Sequence, residues 1–118
     1  HPTLGGTYPN GTELQSWILE VILTMILLVT IFGVTSGPHE KRVWAGLVIG
    51  GVIALEALFA GPICGASMNP IRSLAPAIVS GKLTSVWVYL TAPFVGGMLG
   101  LLFWKMIHKP EPKYERIN

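Results

Sequence analysis

Gly65-Ala66-Ser67-Met68-Asn69-Pro70-Ile71-Arg72-Ser73 is the stretch on which the reading depends, because it starts a helix between two long apolar runs. Asn is a favoured N-cap and Pro a favoured first helical residue, so Asn69-Pro70 reads as a helix start. The apolar residues that follow, Ile71–Val79, run into Ser80-Gly81, which predicts a C-terminal stop. At about 1.5 Å per residue, Pro70–Ser80 would reach about 16 Å, roughly half of a 30 Å hydrocarbon core. A helix that reaches the bilayer middle and no further is a re-entrant half-helix. Such pieces persist only where they line a water-filled cavity or are buried in protein.

Outward from this motif lie three apolar runs, Leu14–Thr35, Val43–Gly61 and Val86–Ile107. Each is close to the roughly 20 residues that a spanning helix needs. Of the 118 residues, 12% are charged, against about 25% in soluble domains, and 51% are hydrophobic. The runs carry no charged stripe at helical spacing, which excludes a soluble bundle. The fold class is therefore an all-α membrane protein with three transmembrane helices and one re-entrant half-helix. The boundaries predicted are spans at 13–36, 43–61 and 86–107, and a re-entrant loop and half-helix at 62–81. Residues 1–12 read as an extracellular loop and 108–118 as a cytoplasmic tail. The polar opening without an initiator Met reads as the back part of something longer.

Basic residues give the orientation. Lys41 and Arg42 lie between the first two spans, and Lys105, Lys109, Lys113 and Arg116 lie at or beyond the end of the third. Six of the eight Lys and Arg residues thus fall on one side, which the positive-inside rule makes cytoplasmic. Arg72 and Lys82 flank the half-helix, so it dips in from outside, with Ile63–Met68 descending as extended chain. Trp17, Trp44, Trp87 and Trp104 sit near span ends, as an interfacial belt requires. The lipid bilayer is the partner these features imply. A net charge of +2, with bases beside membrane ends, points away from nucleic acid. The triplet Asn10-Gly11-Thr12 fits a glycosylation acceptor but is too short a pattern to outweigh chance.

Gly46 and Gly50 in the second span, and Gly96 and Gly100 in the third, have the four-residue spacing that lets helices approach closely. Pro93 is expected to bend the third span.

Asn69 can cap its helix through its carbonyl oxygen and keep its NH₂ free to donate to a passing solute. The helix N-terminus adds about half a positive charge aimed at the membrane centre. That field repels cations, and a donor that orients each water interrupts a proton relay. Arg72, at the third helical position, is expected to face the cavity rather than snorkel to headgroups, because this helix has little lipid-facing surface. Glu20 and Glu56 sit inside spans at the depth of the re-entrant segment. Their expected role is to accept hydrogen bonds from its unpaired amides, or to pair with Arg72. A proton relay is the alternative, although no Asp or in-span His continues one. Cys64 reads as a packing residue, and His39 and His108 as solvated. There is no metal-ligand spacing, catalytic triad or phosphate-binding loop, so neither an enzyme nor a cofactor is expected.

The run Gly61-Pro-Ile-Cys-Gly-Ala-Ser-Met-Asn-Pro-Ile-Arg-Ser-Leu-Ala-Pro-Ala77 resembles the second Asn-Pro-Ala loop of aquaporin-type major intrinsic proteins, and its Gly-Ala-Ser-Met-Asn-Pro form is similar to nodulin-like plant channels and their bacterial relatives. The resemblance implies a homotetramer in a plasma or inner membrane, each subunit with six spans, two half-helices and its own pore. Asn69, Pro70 and Ile71 match the pore motif, with Ile71 in place of its Ala. Arg72 matches the arginine of the selectivity constriction, and Ala66 and Ala57 its loop and fifth-helix positions. Glu20 matches a glutamate that braces the loop. The first three spans and first loop are absent, so the resemblance implies that the missing N-terminal half is a required partner.

The implied function is passive passage of water and small neutral solutes such as glycerol, urea or undissociated metalloid acids. The small Ala57 and Ala66 favour more than water alone. Two other readings remain at this stage. One is a coupled transporter with a broken helix; the other is a non-conducting membrane module used for assembly.

Overall fold

The computed structural model describes residues 4–37 and 42–108, and every described regular element is helical. The expectations for His39, for Lys41 and for the tail from Lys109 onward lie outside the described residues. Four helices follow in chain order: α1 (Glu13–Thr35), α2 (Ala45–Cys64), α3 (Pro70–Ser80) and α4 (Val86–Ile107). The helices α1, α2 and α4 are each long and apolar enough to cross a membrane, and α3 is not among them.

The helix starts are local in origin. Thr12 caps α1, its hydroxyl accepting from the Gln15 amide at 3.1 Å. Asn69 caps α3, its Oδ1 accepting from the Ile71 amide at 2.9 Å and the Arg72 amide at 3.2 Å. Gly81, at φ 76°, ends α3 where the sequence pattern places the stop.

One end differs from expectation. The second apolar run was expected to stop at Gly61-Pro62, but α2 continues through Pro62 to Cys64. A helix end leaves four carbonyls without partners, and here each finds one. The Gly65 amide donates to Gly61 O, Asn10 Nδ2 to Pro62 O and the Asn10 amide to Ile63 O. The Tyr89 hydroxyl donates to Cys64 O at 2.6 Å. Asn10 and Tyr89, from outside the helix, thus hold the last turn in place beyond Pro62. The descending chain is therefore only Gly65–Met68.

Packing centres on α1, which lies along both α4 and α2. At Gly96 a Cβ would fall 2.4 Å from the Val21 carbonyl oxygen and 2.8 Å from Thr24 Cβ. At Gly100 it would lie 3.0 Å from Met25 O and 3.0 Å from Leu28 Cβ. This glycine pair is a seam between α1 and α4, as small residues at membrane interfaces allow. Gly46 and Gly50 differ, since neither has an atom within 4 Å of an added Cβ. The α2 face carrying them, with Leu47, Leu55 and Leu58, is exposed. Trp17 Nε1 donates to Thr91 Oγ1 at 2.9 Å and Trp87 Nε1 to Glu13, pinning the starts of α1 and α4 together. The helix α4 runs unbroken through Pro93, which is buried. Trp104 stacks on His108 with ring centroids 4.6 Å apart.

These bonds put the start of α1, the end of α2 and the start of α4 at one end of the bundle. The short link Gly81–Ser85 brings the end of α3 there too. The chain thus enters from that end, turns, and returns by α3 to the same end.

Candidate functional site

The turn itself is Gly65–Asn69. Gly65, Ala66 and Met68 have φ of 90°, 44° and 55°, so three of its five residues are left-handed. Gly65 is required twice over, since a Cβ there would also meet Thr7 Cβ at 2.9 Å. For Ala66 and Met68 the left-handed region is strained and persists only where neighbours impose it.

Glu20 is the main such neighbour. Its side chain has no exposed surface. Oε1 accepts from the Ser67 amide at 2.8 Å and Oε2 from the Met68 amide at 2.9 Å. One carboxylate thus takes two successive amides that the turn leaves unpaired, and charge-assisted bonds of this kind are strong. Glu20 lies about 10 Å along α1 from its start. The turn therefore sits within the bundle, well below its end.

Glu56 does not share that task. It is 2% exposed, and neither carboxylate oxygen has a hydrogen-bond partner among the described residues. The physical reason is that Glu20 already occupies the Ser67 and Met68 amides. The expected pairing of Glu56 with Arg72 is likewise not made.

On α3 the two faces differ. Ser73 and Ala77, four apart, are buried toward Thr7 and α4, whereas Asn69, Ile71 and Arg72 are exposed. Asn69 Oδ1 is used by the cap, leaving its NH₂ available on the exposed side. Arg72 stands one turn into α3, at the positive end of the helix dipole. The structure thus exposes Asn69, Ile71 and Arg72 near the start of α3, whereas Pro70, three before Ser73, is half-buried on the other face. Ala57 is exposed on α2. Ala66 is not on that open side: it is 3% exposed and packs with Leu23, Leu27, Ala60, Cys64 and Met68.

Sequence reasoning missed Thr7, Ser73, Asn10 and Tyr89. Thr7, Asn10 and Tyr89 bond to the half-helix or the end of α2 from far along the chain, and Ser73 takes up the distant Thr7, so no local pattern marks them.

An apolar bundle, an incoming turn braced by a buried carboxylate, and an Asn-capped half-helix returning to the same end are now in place. The family model described as Major intrinsic protein matches residues 2–104. This chain belongs to the major intrinsic protein family. Among curated members it is 45% identical over 107 residues to Aquaporin NIP1-1 of Zea mays, covering 91% of this chain and 38% of that protein. It is 41% identical to Nodulin-26 of Glycine max, covering 91% of this chain and 40% of the relative. Aquaporin NIP2-1 of Arabidopsis thaliana is 38% identical over 119 residues, covering 98% and 41% respectively. The chain thus spans about two fifths of the length of the family members it matches. Membership and the three apolar helices make it an integral membrane protein.

Proposed function

We propose that this chain is the second half of a passive channel for water and small uncharged solutes of the glycerol, urea or metalloid-acid type. The observation that carries the reading is α3: a half-helix returning to its own end of the bundle, with the free Asn69 amide and Arg72 on its open side. Asn69 Nδ2 orients the oxygen of each passing molecule, and the positive N-terminus repels cations, so protons find no continuous relay. Pro70 presets the first helical turn. Ile71 narrows the passage beside Asn69. Arg72 offers fixed donors to a hydroxylated solute and a second cation barrier. Ala57 leaves the constriction wide, and Ala66, whose methyl is in the core, contributes to it through its backbone. Glu20 braces the turn.

A complementary first half closes the pore, and assembled subunits form a homotetramer with the α3 turn entered from outside and the C-terminus cytoplasmic. The names of the relatives, aquaporins and nodulin-26, support this class.

The test is stopped-flow light scattering on proteoliposomes holding the assembled channel, under separate sucrose and glycerol gradients. Fast shrinkage in sucrose with fast re-swelling in glycerol is expected. Fast water flow without glycerol entry would restrict the channel to water. No flow above empty liposomes would overturn the reading. In the same assay Arg72→Val should raise glycerol passage relative to water, and an unchanged ratio would remove Arg72 from the constriction.

A further inference from the structure

Glu20 holds the amide side of the Gly65–Asn69 turn but leaves the carbonyl of Asn69 to other groups. Ser67 Oγ donates to that carbonyl oxygen at 2.7 Å. Ser67 Oγ is also 2.5 Å from Ser73 Oγ, and Ser73 Oγ is 2.6 Å from Thr7 Oγ1. A hydroxyl has one proton to give, so the order of donation is fixed. Thr7 donates to Ser73, Ser73 to Ser67, and Ser67 to the carbonyl of the residue that caps the half-helix.

Thr7 belongs to the segment before α1, 66 positions from Ser73. That segment is held in place by the Asn10 bonds to the end of α2 and by the close fit of Thr7 against Gly65. Beside it Thr7 and Ser73 line a cavity of about 430 Å³, shared with Tyr8, Lys82 and Tyr89. On that side Ser73 and Ala77 are buried toward α4, and the hydroxyl bond to Thr7 ties the half-helix to the segment before α1.

We propose that Thr7 is a positioning residue for the filter, setting the pose of Asn69 through a one-way chain of three hydroxyls. The filter part of this rests on the channel reading above; the mechanical part does not.

The test uses the assembled channel in lipid, with two readouts. Thr7→Val keeps the shape and removes the first donor. Hydrogen exchange of the 65–69 amides should then accelerate by about fivefold, the loss of one ordinary hydrogen bond. The glycerol-to-water permeability ratio should shift by about threefold or more in the same variant. Thr7→Ser should restore both, and Ser73→Ala, which cuts the middle of the chain, should reproduce both. Unchanged exchange in Thr7→Val and Ser73→Ala would overturn the proposal whatever the channel conducts. Faster exchange with an unchanged permeability ratio would overturn the filter role and leave Thr7 a structural residue. A wild-type assembly that moves no solute would sink the channel reading and the filter role together, while exchange would still decide whether Thr7 holds Asn69.

Discussion

A carboxylate in an apolar bundle is costly unless its oxygens are used, and Glu20 uses both on one turn of backbone. Replacing it with Gln keeps one acceptor and sets an NH₂ against the second amide. Thermal unfolding of the assembled channel should show Glu20→Gln less stable by about 1–3 kcal/mol, the range for an orphaned buried donor. Equal melting of variant and wild type would mean the turn does not depend on this carboxylate. The same residues show what a sequence can reveal. An acid inside an apolar run is conspicuous, and Asn-Pro before a hydrophobic stretch announces a helix start, so Glu20 and Asn69 were legible. Glu56 carried the same signal as Glu20. What separated them is that two amides can be taken only once, a fact of the folded backbone. Thr7 and Ser73 were invisible for another reason, since a lone hydroxyl carries no local signal and these two meet only after the chain folds back.

At the level of helices, the limits of α3 were legible because both its cap and its stop are local, whereas the end of α2 was not. Gly61-Pro62 is a local stop signal, and it lost to four partners that arrive from Gly65, Asn10 and Tyr89. The glycine pairs teach a similar lesson. Gly96 and Gly100 meet α1, while Gly46 and Gly50, with identical spacing, face open space within this chain. Spacing permits close approach but does not supply a neighbour. Gly96→Ala should cost about 1–3 kcal/mol by overpacking the α1–α4 seam. Gly97→Ala is the control, because its Cβ would meet only Leu28 Cγ at 4.0 Å. Melting temperatures that fall equally for both would show that the seam is looser than the close approach of Val21 implies.

For the whole chain, labelling can check the topology proposed above. Cys64 is buried and has no exposed surface, so the wild-type chain offers a silent background. A membrane-impermeant maleimide added outside should modify Thr84→Cys, at the end shared by α3 and α4, and spare His108→Cys at the other. The opposite pattern would turn the proposed topology over and place the end shared by α3 and α4 on the cytoplasmic side. The closure of the α2 end has a consequence for biogenesis. The groups that complete it come from a segment made before the first span and from a tyrosine in the last. While the ribosome is still translating the half-helix, Cys64 has no tyrosine to accept from. The end of α2 is thus completed only once α4 is in place, because Cys64 O takes its partner from Tyr89.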